Sequence, residues 1–258
     1  MKLIVHFRRS AIQFRKTNLS WDDILRKTAD GYSSENILNK CRDSLSKVRD
    51  EEYPYERDSV LFKEKEIFFP LLSSLLLVCI KEQNALNLID FGGSLGSAYF
   101  QNKEILKQSE VNINWNIVEQ ENFVECGLKY FANNELHFYK KIDECCALMD
   151  ISVCLFSSVL QYLKNPYSLI DNVIKKNIKY MIIDRTIFIE NGNEDILSIQ
   201  TVPKEIYEAS YPVWFLSLNK FLTYMEKNFE IIYKWTALDQ HKLKGYKTIG
   251  LGFLFVKK

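Results

Sequence analysis

The sequence predicts an α/β fold: a mostly parallel seven-stranded sheet with an antiparallel edge strand, preceded by an N-terminal helical extension. Three observations predict it. From residue 86 onward, short apolar runs alternate with helix-length amphipathic stretches, the pattern of β-α-β units. A glycine-rich turn follows the first run directly, and "LIDFGGSLG" (88–96) holds three of the chain's nine glycines. The last two apolar runs, "EIIYKWTAL" (230–238) and "TIGLGFLFV" (248–256), have no helix between them, so they predict an antiparallel hairpin at one edge.

The elements follow in order. Ser20 before Trp21, with Asp23 three residues on, marks a helix start. Ser33 and Ser34 introduce a second helix with Ile37, Leu38, Cys41, Leu45 and Val48 on one stripe. Polar "RDEEYPYERD" (49–58) reads as a loop, and a helical region over 59–82 as kinked near Pro70. "LNLIDF" (86–91) is the first strand of the sheet; a helix runs from the glycine turn to about 108. "INWNIVEQ" (113–120), "ELHFYK" (135–140), "ISVCLFSS" (151–158) and "KYMIID" (179–184) are the next four strands. Between them, Phe123, Gly127 and Phe131 mark one helix, and Asn165-Pro166 opens another with Leu169, Ile170, Val173 and Ile174 inward. Ser217 opens the last, with Leu218, Phe221, Leu222 and Met225 at helical spacing. A sheet of this kind is Rossmann-like.

The bulk numbers bound what the chain does. A chain of 258 residues, 47% hydrophobic and 26% charged, buries one substantial core. We divide it into a helical extension or lid over 1–83 and a Rossmann-like domain over 84–258. Net charge is +1, from 34 basic and 33 acidic residues, which excludes the electrostatic footprint of a nucleic-acid binder. Six cysteines with no CxxC pair predict a reducing, cytoplasmic setting. His6, His137 and His241 share no spacing, so no metal site is expected. "IFFPLLSSLLLVCI" (67–80) is too short to span a bilayer and contains Pro70, so no transmembrane segment is expected. Five basic residues precede the first acid, Asp22; the arm is either solvated or in peripheral contact with an anionic membrane surface. Nothing in the sequence specifies the oligomeric state.

The glycine turn carries the functional reading. Gly92, Gly93 and Gly96 let backbone turn tightly and approach a ligand. Asp90, just before them, disfavours a phosphate and suits a ligand with a cationic end. The run D-x-G-x-x-x-G is not the dinucleotide fingerprint G-x-G-x-x-G, which argues against a nicotinamide oxidoreductase. With Ser94 in the middle, it resembles the nucleotide loop of class I S-adenosylmethionine methyltransferases. Glu119 ends the next strand, 29 residues after Asp90, and its two acceptor oxygens match a pair of ribose hydroxyls. The alternative at each of these positions is structural: a plain turn, and a solvated strand-end carboxylate.

The resemblance then narrows. "YERDSVLF" (55–62), "LIDFGGSLGSAYFQN" (88–102), "WNIVEQ" (115–120), "SSVLQYLKNPYSLI" (157–170), "IIDRT" (182–186) and "VPKEIYEASYPVW" (202–214) resemble, in this order, a bacterial family of methyltransferases with no assigned substrate. The likeness runs from about Trp21 to the C-terminus. It departs at Ile187, where the family usually has proline, and at Val213, where cysteine is common.

The resemblance implies S-adenosylmethionine as cofactor, held by Asp90, Gly92, Gly93, Ser94, Gly96, Glu119 and Gln120. It places Ser157 along the cofactor's amino-acid end and Asp143 near adenine. Asp184, ending the fifth strand, is the candidate base, Arg185 a partner or substrate grip, and Gln161 an orienting amide. Tyr55 and Arg57 before the long helix, Tyr162, and Tyr211 and Trp214 in a long connection are candidate substrate contacts. Each also reads structurally, as an Asp–Arg pair, a capped helix start, an exposed acid or a buried turn. The leading expectation is O-methylation of a small-molecule or glycan-linked acceptor, the latter implying polysaccharide biosynthesis. The alternative is a non-catalytic cofactor-binding scaffold with a degenerate methyltransferase fold.

Overall fold

The computed structural model describes residues 12–28, 35–203 and 209–258. The basic arm before residue 12, His6, Ser33 and Ser34 lie outside them. Strand β1 (Gln13–Lys16) comes first, then helix α1 (Trp21–Lys27). The expected capping box is present: Ser20 Oγ accepts from the Asp23 amide at 3.2 Å, and the Asp23 carboxylate accepts from the Ser20 amide at 3.3 Å. Helix α2 (Glu35–Arg49) follows.

The kinked helix expected over 59–82 does not form. Strands β2 (Tyr55–Arg57) and β3 (Val60–Phe62) make a hairpin, and the helix α3 is Phe69–Lys81. Asp58 and Ser59 sit at φ 52° and 63°, the left-handed pair that a two-residue hairpin turn needs. Pro70 lies in the first turn of α3, where its missing N–H costs nothing, so it starts the helix rather than bending it. The Tyr233 hydroxyl donates to the Pro70 carbonyl at 2.8 Å.

The remaining elements are β4 (Ala85–Phe91), α4 (Ser97–Gln108), β5 (Asn112–Val118), α5 (Glu121–Tyr130), β6 (Leu136–Tyr139), α6 (Ile142–Leu148), β7 (Val153–Ser157), a 3-10 turn at Leu160–Tyr162, α7 (Pro166–Lys175), β8 (Tyr180–Ile189), β9 (Ile196–Val202), β10 (Ala209–Ser217), α8 (Leu218–Met225), β11 (Phe229–Thr236) and β12 (Thr248–Lys257). Strands β6-β5-β4-β7-β8 pair in that order, all parallel. Strand β12 runs antiparallel to β8, and β11 antiparallel to β12. This is the expected Rossmann-like sheet with its antiparallel hairpin at one edge, in which the reversed strand β12 lies second from the edge. The burial explains it. Strand β12 is buried continuously from Gly250 to Phe255, as an interior strand must be, whereas β11 is mostly exposed or half-buried.

Alternate strand residues face opposite layers. Leu88, Leu155 and Ile182 join the core under α2, α3, α4 and α5, while Ile89, Phe156 and Ile183 join the one under α6, α7 and α8. The stretch expected as a loop-like connection before Trp214 is instead an antiparallel ribbon, β1-β9-β10. Its end meets the main sheet where Leu216 and Ser217 pair with Phe188 and Ile189, beyond the part of β8 that pairs with β7.

Gly252 on β12 lies under the ring of Trp235, which crosses it: an added Cβ would sit 2.1 Å from Trp235 Cε2. Gly252→Ala is expected to destabilise the fold by about 1–3 kcal/mol or more, measured as a lower urea midpoint. A midpoint within about 0.3 kcal/mol of wild type would show that the indole has room to move.

Candidate active site

The parallel strands bring Asp90, Glu119, Ser157 and Asp184 to one end of the sheet. Asp90, expected to face a cationic ligand, lies beneath the glycine turn instead. It is 1% exposed, and its carboxylate accepts from Trp115 Nε1 at 3.0 Å. Gly93 passes directly over it, where a Cβ would come within 2.5 Å of the carboxyl group. Gly92 adopts φ 71°, and a Cβ there would meet Val159 Cγ2 at 2.4 Å. The glycines therefore let the chain close over its own carboxylate and over the loop after β7. Burial pushes the Asp90 carboxyl up to about 7; nearby Glu119 adds to the rise and the Trp115 bond opposes it.

Glu119 meets the same turn from the neighbouring strand. Its carboxylate accepts from the Gln120 amide at 2.7 Å, and the Ser94 backbone nearby also favours its charged form. Ser94 holds φ 54°. Burial pushes Glu119 up to about 7 against these two influences. Gly92, Gly93, Ser94, Gly96, Glu119 and Gln120 thus stand together at the carboxyl ends of β4 and β5.

A second cluster forms at β7 and β8. Asp184 is 1% exposed; Trp235 Nε1 donates to its Oδ1 at 3.0 Å and Ser157 Oγ to its Oδ2 at 3.3 Å. Burial raises its carboxyl above the usual value, and the Trp235 bond opposes the rise. Arg185 sits at φ 53°. Its guanidinium holds Asp239 at 2.5 Å and Asp58, in the β2–β3 turn, at 2.6 Å. Gln161 Nε2 donates to the Arg185 carbonyl at 3.1 Å and to Ser158 Oγ at 3.4 Å, while its Oε1 is buried without a partner among the described residues.

The substrate candidates divide. Tyr55 and Arg57 reach the site through the hairpin that Arg185 clamps; Arg57 itself bonds Glu66 at 3.2 Å and lies over the Phe62 ring. Tyr162 and Tyr211 bracket the buried Gln200, whose amide bonds both hydroxyls at 3.0 and 2.9 Å. Trp214 stacks on Trp21 at 5.8 Å. Asp143 stands in the first turn of α6, just after the carboxyl end of β6. It is exposed and ion-paired with Lys176.

Sequence reasoning passed over Glu56. It lies in a polar run that reads as solvated loop, yet all three residues of β2 are buried. The signal was the spacing of apolar and aromatic neighbours, Tyr55 and Phe62, across a turn with no glycine.

Three raised carboxyls set the pH dependence. Folded Asp90, Glu119 and Glu56 each hold their proton up to about pH 7, whereas unfolded carboxyls release it near pH 4. The folded state therefore binds more protons between about pH 4 and 7, and stability falls as pH rises through that window. Asp90→Asn removes the carboxyl that burial raises furthest, and its loss of stability from pH 5 to 7.5 is expected to be smaller than that of wild type by roughly 2–4 kcal/mol. Urea titrations at both pH values measure it, and an equal loss would place Asp90 among ordinary acids.

No family model matches the chain, and no curated protein matches it. Solved structures resemble it at low identity. The N-terminal domain of EvdMO1, solved in the presence of SAH and D-fucose, is 11% identical over 89% of this chain and 99% of that one, with a TM-score of 0.48. A SAM-dependent methyltransferase from Methanosarcina mazei is 11% identical over 74% of this chain and 99% of its own, with a TM-score of 0.47. The glycopeptide N-methyltransferase MtfA, complexed with (S)-adenosyl-L-homocysteine, is 8% identical over 76% of this chain and 93% of its own, with a TM-score of 0.46.

Proposed function

We propose that the protein binds S-adenosylmethionine over the carboxyl ends of β4 and β5 and transfers its methyl group to an oxygen of a small-molecule or glycan-linked acceptor. One observation carries the reading: the Glu119 carboxylate, fixed by the Gln120 amide at 2.7 Å, stands at the end of β5 beside the tight, positive-φ turn that follows the parallel strand β4. The residues fit the cofactor. A carboxylate fixed at that point offers acceptors to two vicinal hydroxyls. Gly92, Gly93, Ser94, Gly96 and Gln120 line the nucleoside side, and Ser157 the amino-acid side. When bound, the sulfonium supplies an electrophilic methyl group.

The chain's own task is to align the acceptor and take its proton. Ser157 Oγ already donates to Asp184, so it can accept the acceptor's proton while passing its own to that carboxylate. A carboxyl raised by burial suits proton acceptance near neutral pH. Gln161 Oε1 is left to orient the acceptor hydroxyl. Arg185, committed to Asp58 and Asp239, acts as a positioning residue. Tyr55, Tyr162, Tyr211 and Trp214 supply the apolar surround. A second reading, cofactor binding without transfer, is favoured by the near-complete burial of Asp184.

Calorimetry with S-adenosylhomocysteine tests binding. Wild type is expected to bind, and Glu119→Ala to bind at least about tenfold more weakly; no heat from wild type removes the cofactor reading. Methyl transfer from labelled donor into cell extract then separates the two readings. Asp184→Asn keeps an acceptor for Trp235 and is expected to slow transfer by about 10²–10⁴-fold with cofactor affinity retained. Full turnover in that variant and in Ser157→Ala would exclude the proton path.

A further inference from the structure

Strand β1 and the loop joining β11 to β12 are far apart in sequence and side by side in the fold. Lys16 Nζ donates to the Tyr246 hydroxyl at 2.5 Å and lies over its ring at 5.2 Å. Phe14 packs on His241 at 4.8 Å and shares an apolar cluster with Leu243 and Tyr246. These contacts join two stretches that carry bases and no acid. The loop stretch "QHKLKGYK" (240–247) holds Lys242, Lys244 and Lys247, and the residues before Asp22 hold Lys2, Arg8, Arg9, Arg15 and Lys16. Lys16, Lys242 and Lys244 are exposed and make no ion pair among the described residues. Lys247 is held by Glu190 at 3.4 Å.

The net charge of +1 does not govern this surface, because salt screens exposed charges from one another beyond about 8–10 Å. What counts is the local set of three unneutralised lysines. An anionic bilayer surface gains about fivefold in binding for each basic residue held near it. The sequence leading into β1 adds the apolar half of such a contact: Leu3, Ile4, Val5 and Phe7 stand among Lys2, Arg8 and Arg9. Apolar and aromatic residues interleaved with bases suit a lipid boundary, whereas a soluble polyanion offers those apolar residues nothing.

We propose that this surface, formed by β1 and the β11–β12 loop, docks the protein on an anionic membrane. The surface adjoins the candidate active site, since the same loop carries Asp239, which holds Arg185 at 2.5 Å. It uses none of the residues assigned to cofactor or acceptor, so the docking stands or falls independently of the methyl-transfer reading.

Co-sedimentation of the full chain with vesicles tests it, comparing phosphatidylcholine alone with phosphatidylcholine containing phosphatidylglycerol. Binding to the anionic vesicles only is expected, weakening as salt rises. Combining Lys16→Gln, Lys242→Gln and Lys244→Gln is expected to weaken it by about 10- to 100-fold. The matched set Lys81→Gln, Lys129→Gln and Lys175→Gln removes three exposed charges from the far ends of α3, α5 and α7 and is expected to change binding by less than about threefold. No binding by wild type, equal binding to neutral vesicles, or equal weakening by both sets overturns the proposal. Displacement from the vesicles by millimolar inorganic phosphate would make the lysines a free-phosphate site and overturn it too. Should the triple variant not fold, Lys242→Gln with Lys244→Gln is the test, and full vesicle affinity in that variant overturns the assignment equally.

Discussion

Two indole N–H groups hold two buried carboxylates at the business end of this sheet, and the loops around the site are arranged over those two bonds. Trp115 on β5 holds Asp90 at the end of β4, and Trp235 on β11 holds Asp184 in β8. Removing a carboxylate from water costs several kcal/mol, and one charge-assisted hydrogen bond returns about 1.5–3. The deficit shows in both carboxyls, which burial pulls above their usual values despite the bonds. The structure tolerates the deficit because each bond fixes a loop. Gly93 rests on Asp90, and the Asp184 carbonyl accepts the Ser158 amide at 2.9 Å while its side chain takes Ser157. The backbone at the ends of β4 and β7 is thereby fixed by the fold itself.

Much of this fold is legible in the sequence because burial imposes periodicity. Seven strands, the last two forming the β11–β12 hairpin, follow from apolar runs and their spacing, and Ser20 and Ser217 both cap as their side chains predict. Strand order is another matter. That β12 inserts between β8 and β11 depends on which strand can be buried on both edges, and only the packed sheet displays that. The β1-β9-β10 ribbon pairs Gln13 with Thr201, a closure far too long in sequence for local pattern to signal. The β2–β3 turn hides because Asp58 and Ser59 take left-handed angles usually given to Gly or Asn.

The candidate site is legible by position more than by orientation. Asp90 and Glu119 both stand at strand ends, as their spacing indicates. One turns under the backbone and the other turns onto it, and the difference lies in Gly93 and Trp115, not in the acids themselves. Glu56 reverses the case. Its flanking charges read as solvent-exposed, and it becomes a buried group only because α2 and α4 close around the hairpin.

Arg185 links these parts, and magnitudes decide which link yields first. Its left-handed backbone costs an arginine roughly 1–3 kcal/mol, recovered through two ion pairs that tie the β2–β3 turn and the β11–β12 loop to β8. The pair with Asp239 is enclosed, with the carboxylate side chain 7% exposed, whereas Asp58 is 49% exposed. An ion pair with one partner in water contributes about 0–1 kcal/mol and weakens with salt, while breaking an enclosed pair costs several. The hairpin therefore detaches from Arg185 far more readily than the β11–β12 loop does.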